Sequence, residues 1–449
     1  MKRRSITALF GLIIIYLMSS LQAFAVEVVQ VPNENIDQVY QQSVDSNALE
    51  GWEMGPQIYS EAGIVMDIDS GAILYAKNID SPHYPASITK ILTALVALEH
   101  NALTDTVTIT PEDYDFLKRG DNHIGLKNGE QITMEDALYG TLLASGNEVA
   151  HALGSNTEGG YDHFISLMNE KAAELGCTNS HFVNSHGLHD DNHYTTARDM
   201  ALIGAAAFQN TDFRKITGTL QYTIPTTNVT NETRTFQNHQ KMLFDWRKQY
   251  YEYCVGGKTG YTDKALNTLV TFATKDDVNL VAVVLRTHGS GNTYVDTKAM
   301  LDYGFEHFTK IPVSSEQLDE ENIQSVNKNS YVMLPSGITL EQLEYTVNYP
   351  TELGDKTGEV IYTYDGHPVG KAEVTVADKY YNDLHGIEEK KQEKKAEKKE
   401  KVSVIGVVIT IVCIVLAVGL ILFLLLLCYV HYKRKQMRKR RRGNIRRNP

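Results

Sequence analysis

A hydroxyl and an amine stand three residues apart at Ser87 and Lys90, in the run Tyr84-Pro85-Ala86-Ser87-Ile88-Thr89-Lys90. Nucleophilic catalysis needs an oxygen made reactive by a base within hydrogen-bond reach, and residues three apart share one face of a helix. The run opens a segment, Ser87 to Glu99, in which Ile88, Ile91, Leu92, Leu95, Val96 and Leu98 recur at helical spacing, with Pro85 where a helix is entered. An amine in that apolar setting loses its proton near neutral pH through desolvation, and the positive end of the helix dipole favours an alkoxide at Ser87. Ser325 and Lys328 repeat the spacing, but in a polar, acidic segment without apolar periodicity.

Two further groups have chemistry to offer. Ser145-Gly146-Asn147 falls in a break between apolar runs, where a loop can project two polar side chains into a cleft. Gly256-Gly257-Lys258-Thr259-Gly260 supplies a cation, a hydroxyl and close backbone approach for an anionic, extended ligand. Each has imitators: Ser290-Gly291-Asn292 and Ser325-Val326-Asn327 for the first, Lys356-Thr357-Gly358, read as a turn, for the second. Only the three elements together, in order, make a specific signal.

The elements that position them follow from periodicity. Gly63 to Asp67 and Ala72 to Tyr75 flank Asp-Ser-Gly turn residues and predict a β-hairpin. Helical patterns continue over Met134 to Leu143, Glu148 to Leu153, Tyr161 to Leu175 and Thr196 to Phe208. Strand patterns return at Thr268 to Ala273 and Leu280 to Leu285, before a closing helix over Val295 to Phe308. The class is α+β, with one sheet assembled from distant segments around a helical middle. Beyond Ile311-Pro312, short strands separated by Pro, Gly and Asp-Gly predict a small β-rich domain over 311–386. The polar, aperiodic stretch 26–57 reads as a linker ahead of a main domain at 58–310.

The ends of the chain speak to its location. Lys2-Arg3-Arg4, an apolar run to Met18 and Ala23-Phe24-Ala25 are the three parts of a secretory signal peptide over 1–25, cleaved after Ala25. Val404 to Val430 carries no charge and exceeds the roughly 20 residues a helix needs to cross a bilayer. A transmembrane helix over 402–430 is predicted, after a Glu/Lys-rich stalk at 387–401 and before a basic tail at 431–449. Positive residues stay cytoplasmic, which places the bulk of the chain outside the cell membrane.

Of 449 residues, 42% are hydrophobic and 22% charged, which excludes a wholly disordered chain. The net charge of −12 hides basic pieces of +3, +2 and +10 at the N-terminus, stalk and tail, so residues 26–386 carry about −27. Repulsion excludes nucleic acid as that region's partner. Of four cysteines only Cys177 and Cys254 lie outside the apolar helix, so at most one intramolecular disulfide forms there.

The three motifs, with Asn184-Ser185-His186-Gly187-Leu188, His193-Tyr194-Thr195-Thr196-Ala197-Arg198-Asp199-Met200 and Leu301-Asp302-Tyr303-Gly304-Phe305, resemble the low-molecular-mass serine D-Ala-D-Ala carboxypeptidases, which are penicillin-binding proteins, over about Ile58 to Phe308. The resemblance implies a β-lactamase/DD-peptidase-like antiparallel sheet with a helical subdomain, peptidoglycan stem peptides ending in D-Ala-D-Ala as substrate, acylation by β-lactams, and no metal or organic cofactor. It makes Ser87 the nucleophile and Lys90 its base, has Ser145 and Asn147 relay protons and hold the substrate amide, and gives the terminal carboxylate to Lys258 and Thr259 beside Gly260. One oxyanion-hole donor would be the Ser87 N–H. Asn238-His239-Gln240 stands where members often carry Asn, a basic residue and Asn, which puts His239 on the substrate side; Leu266 replaces a usual Gly.

Two other classes compete. His186, His189 and His193 with Asp190 and Asp191 have permissive metal-ligand spacing for a metallohydrolase. A class A β-lactamase would need a deacylating carboxylate, and no Glu-x-x-Leu-Asn lies between Asn147 and Lys258.

Overall fold

The computed structural model describes residue 32 and residues 35–289, 291–318, 320–352 and 354–444, without the side chains of 387–405 and 439–444. The signal-peptide segment 1–25 lies outside the described residues. The chain divides into two units, one holding the described residues up to 318 with 325–349 and 357–374, the other 320–324, 350–356 and the C-terminal part from 375.

The first unit is built on a five-stranded antiparallel sheet. Its strands are β1 (Ser60–Asp67), β2 (Ile73–Lys77), β3 (Cys254–Thr262), β4 (Leu266–Lys275) and β5 (Val278–Thr287), in the order β2-β1-β5-β4-β3. The hairpin between β1 and β2 closes where Asp67 Oδ1 accepts from Ser70 N at 2.8 Å and Gly71 takes φ +71°. β5 is buried at every position from Leu280 to Thr287, the mark of a strand covered on both faces. The covers are α5 (Ala197–Gln209), whose Gly204 sits against Val281, and α6 (Asn292–His307), whose Gly304 sits against the adjacent Leu280. Neighbouring strand residues face opposite ways, so the two helices lie on opposite faces.

The helical middle supplies α1 (Lys90–His100), α2 (Met134–Leu142), α3 (Asn147–Ser155) and α4 (Gly160–Glu174). From Lys90 to Ala97, α1 is buried on every side, so Ser87 leads into the centre of the core.

The structure departs from the sequence reading in four places. Ser87 lies in a tight 3-10 turn, Ala86–Thr89, and the α-helix starts only at Lys90. Strands return before Thr268: Lys258-Thr259-Gly260 lies within a strand of its own, β3, where glycines erase the apolar alternation. Thr357 and Gly358, read as a turn, begin the strand Thr357–Tyr364. Residues 35–57 are not a free linker: Val39, Val44 and Trp52 are buried, buried Lys77 Nζ donates to Val39 O and Ile58 O at 2.8 and 2.9 Å, and Trp52 Nε1 donates to Leu74 O. Three buried apolar residues spaced through polar sequence are too sparse to register as periodicity.

A second, six-stranded sheet runs in the order Phe308–Pro312, Tyr331–Pro335, His367–Val376, Thr357–Tyr364 and Glu344–Asn348, with Ile323–Val326 also paired to His367–Val376. Ala372 and Val374 point inward while Lys371 and Glu373 point to solvent, the pattern of a half-buried strand. Cys177 and Cys254 are free thiols.

In the second unit one continuous helix, Ile387–Asn444, runs through the stalk, apolar segment and basic residues. Its stretch Gly406–Arg438 is long and apolar enough to cross a membrane.

Candidate active site

Ser87 and Lys90 meet because the chain between them is a 3-10 turn, in which positions three apart eclipse each other. Ala86 enters this turn at φ +52°, a left-handed conformation that a side chain resists. Contacts hold it there: Thr268 Oγ1 donates to Pro85 O at 2.8 Å, Thr89 Oγ1 donates to Ala86 O at 2.9 Å, and Gly187 packs so closely that a Cβ on it would lie 1.9 Å from Ala86 O.

Lys90 Nζ, fully buried, lies 3.1 Å from Ser87 Oγ, 2.7 Å from Asn147 Oδ1 and 2.6 Å from the carbonyl oxygen of His186. Burial first, then the charge of Lys258, pushes its ammonium well below the usual lysine range, against a weaker opposing pull from Glu148 and Asp121. A neutral amine has two hydrogens and one lone pair. Asn147 Oδ1 and His186 O can only accept, so they take both hydrogens, and the lone pair is left for the Ser87 hydroxyl proton.

Ser145, at φ +60°, and Asn147 flank the start of α3, with Asn147 N donating to Asn122 O at 2.9 Å. Glu148 is buried behind them and accepts from Gly125 N at 3.1 Å, tying the loop around Arg119 to Asn122 onto α3. Lys258 Nζ donates to Ser145 Oγ and to Thr259 O, both at 2.9 Å, and burial lowers it to about 7. Among the described residues β3 pairs with β4 alone, and on its other edge Thr217 Oγ1 accepts from Gly257 N at 3.0 Å and donates to Gly257 O at 3.1 Å, so an added chain would pair beyond Gly257. Gly260 permits the approach: a Cβ there would meet Thr268 Oγ1 at 2.3 Å and Ser87 N at 2.9 Å.

These residues border a cleft of about 1010 Å³ lined by Ser87, Ser145, Asn147, Thr259, Gly260 and His239, with Lys90 and Lys258 buried behind it. All eight residues singled out in the sequence are thus brought together. His239 N donates to Leu143 O at 3.2 Å, while partial burial and the cations Lys258, Lys241 and Lys90 hold its imidazole neutral. Leu266 has the left-handed backbone, φ +50°, that the usual Gly would take without strain. Sequence reasoning missed the His186 carbonyl, a main-chain group with no residue-type signal, and the cleft-lining segment Arg119 to Asn122, which has no periodicity.

The histidines do not converge. His193 Nε2 lies 2.8 Å from Thr89 Oγ1 and its Nδ1 accepts from Val183 N at 3.1 Å; His186 stacks on Phe116, and His189 meets Tyr84 edge-on. Among the described residues no group of three His, Cys, Asp or Glu is arranged to hold a metal ion.

The family model for D-alanyl-D-alanine carboxypeptidase matches residues 50–289, more than half of the chain and all eight of these site residues. The chain belongs to the D-alanyl-D-alanine carboxypeptidase family. It is a serine peptidase with the penicillin-binding DD-peptidase fold. D-alanyl-D-alanine carboxypeptidase DacA of Haemophilus influenzae is 29% identical over 358 residues, 74% of this chain and 88% of that protein. D-alanyl-D-alanine carboxypeptidase DacB2 of Mycobacterium tuberculosis is 35% identical over 251 residues, covering 55% and 82%. The crystal structure of the Streptomyces K15 DD-transpeptidase superposes with a TM-score of 0.53 at 30% identity, covering 56% of this chain and 99% of that one.

Proposed function

We propose that this enzyme removes the terminal D-alanine from peptidoglycan stem peptides through an acyl-enzyme on Ser87, and that β-lactams acylate the same oxygen. The observation that carries the assignment of roles is the environment of Lys90, whose hydrogens are committed to Asn147 and His186 and whose lone pair faces Ser87 Oγ at 3.1 Å. Lys258, with Thr259, binds the substrate's terminal carboxylate, and the peptide lies as an added strand along β3. Ser87 Oγ then attacks the carbonyl carbon of the penultimate D-alanine and its proton passes to Lys90. The developing oxyanion is met by the Ser87 N–H, and the Lys90 proton returns through Ser145 to the nitrogen of the leaving D-alanine as the C–N bond breaks. Water deacylates Ser87 by the same route in reverse. Asn147 and His239 hold the substrate from the cleft wall.

Location completes the reading. The signal peptide over 1–25 is removed, the apolar helix anchors the enzyme in the cell membrane, and the catalytic region faces outward with the basic tail in the cytoplasm. The second sheet, as a small β-rich domain over 311–386, and the stalk lift the cleft toward the wall; a shortened stalk that retained full cellular function would argue against this.

The roles are tested by mass spectrometry of the full-length protein in detergent after exposure to penicillin. A covalent adduct on Ser87, absent from Ser87→Ala, is the expected result. No adduct on a folded wild type would overturn the acyl-enzyme.

A further inference from the structure

The cleft holds more positive charge than its chemistry uses. Arg119, Lys241 and Arg247 line it, and among the described residues none of the three forms an ion pair. The two carboxylates on the lining are engaged locally, Asp121 Oδ2 accepting from Lys118 N at 2.8 Å and Asp263 Oδ1 from Tyr261 OH at 3.2 Å. Buried Lys258 adds its charge from behind. This concentration of cations sits in a region that carries about −27 overall, so a random scatter of surface charge would favour the opposite sign.

Two of the cations share a supported wall. Lys241 Nζ lies 5.6 Å from the centre of the Tyr294 ring, and Tyr294 also lines the cleft. Arg247 is held by a short turn, its N–H donating to Phe244 O at 2.9 Å, with Phe244 buried beneath it. An ammonium over the Tyr294 ring and a guanidinium on the Phe244 turn thus line one cleft, and both are cations that bind carboxylates.

We propose that Lys241 and Arg247, with Arg119 adding to the field, form a second anion subsite that selects peptides bearing a carboxylate upstream of the D-Ala-D-Ala terminus. The proposal rests on the carboxypeptidase reading and names the substrate class that reading leaves open. The terminal carboxylate is taken by Lys258, so a second carboxylate must come from the body of the peptide. It can stand on the side chain of the residue before D-Ala-D-Ala or on the residue before that.

The test uses full-length protein in detergent and three synthetic peptides ending in D-Ala-D-Ala. One carries a side-chain carboxylate on the preceding residue, the second carries it one residue earlier, and in the third that carboxylate is amidated. At low salt, kcat/KM for D-alanine release from at least one acidic peptide exceeds that for the amidated peptide by roughly tenfold or more, and the ratio shrinks as salt rises. Whichever acidic peptide gains identifies the source of the carboxylate. In the double variant Lys241→Gln with Arg247→Gln the ratio falls to within about twofold, while Lys248→Gln, a neighbouring exposed cation off the cleft lining, keeps it. Melting temperatures matched to wild type show that the variants are folded. Equal kcat/KM for all three peptides, or a ratio lost equally in Lys248→Gln, overturns the subsite. No D-alanine release from any peptide overturns the carboxypeptidase reading itself.

Discussion

Gly187 is the position where one methyl group should do most damage to the nucleophile without touching it. A Cβ built there lies 1.9 Å from Ala86 O and 2.5 Å from Ala86 C, both main-chain atoms. Reaching even 3.0 Å requires a shift of about 1.1 Å, and Ala86 immediately precedes Ser87. On the other side of the contact, Gly187 follows His186, whose carbonyl holds Lys90. The clash therefore pushes nucleophile and base apart. A misplacement of about 1 Å costs on the order of 100-fold in rate, and alanine at φ +82° adds about 1–2 kcal/mol of backbone strain. Gly187→Ala should lower the rate of penicillin acylation about 100-fold and destabilise the fold by about 2–4 kcal/mol. Gly176 supplies the control, because it has the same φ of +82° with nothing within 4 Å of a Cβ. Gly176→Ala carries the strain alone, so it should lower the melting temperature slightly and leave acylation at the wild-type rate. An acylation rate in Gly187→Ala within threefold of the Gly176→Ala control would refute the close-contact reasoning.

Three other outcomes are expected. Lys90 must be neutral and Lys258 charged, so kcat/KM falls on acidification through the depressed Lys90 value and falls again above about 7 as Lys258 loses its proton; Asn147→Asp, which sets a carboxylate against Lys90, should move the acid limb up by about one unit or more. Thr93→Val removes the buried donor to Ser185 O, 2.6 Å away, and should cost about 1–3 kcal/mol in denaturant titration. Buried His83 and His193 are lowered to about 4 and about 3, so below about pH 6.5 the unfolded chain binds protons that the folded chain refuses; each then removes about 1.4 kcal/mol per pH unit, while Asp296, raised to about 6, returns less than about 1 kcal/mol by pH 5.5. A melting temperature that did not fall between pH 7 and 5.5 would contradict this.

The candidate site residues were legible because the chemistry proposed for them depends on residue type at fixed spacing, and the helices because their apolar faces recur over many residues. Met134 to Leu143 and Tyr161 to Leu175 in sequence became Met134–Leu142 and Gly160–Glu174 in structure. What could not be read depends on main-chain atoms or on contacts between distant segments. The His186 carbonyl has no side-chain signature, and Ala86 at φ +52° is an alanine where a glycine would have announced a turn. β3 was invisible as a strand because Gly256, Gly257 and Gly260 replace the apolar residues that alternation needs. Those glycines are the functional requirement itself: Gly257 avoids Val270 O, which a Cβ would approach to 2.3 Å, and Gly260 admits the main chain to Ser87. The residues that hid the strand are the ones that bring it to the nucleophile.

The two buried lysines explain each other's roles. Taking two ammonium groups out of water into one polar cluster is costly, and each is relieved by losing a proton. Burial pushes both down, Lys258 to about 7 and Lys90 well below the usual lysine range, and repulsion between the two charges adds to it. The proposed roles require Lys90 to deprotonate first as pH rises, which leaves a neutral base beside Ser87 and a cation beside Ser145. A substrate carboxylate sharpens this ordering. Bound to Lys258 it stabilises that charge, so the alkaline limb seen in kcat/KM should move to higher pH in kcat. An uncharged substrate analogue ending in an amide lacks that effect and should show the same alkaline limb in both parameters. If the amide and the carboxylate gave identical shifts, Lys258 would not be the carboxylate's partner, and the division of labour between the two lysines would have to be redrawn.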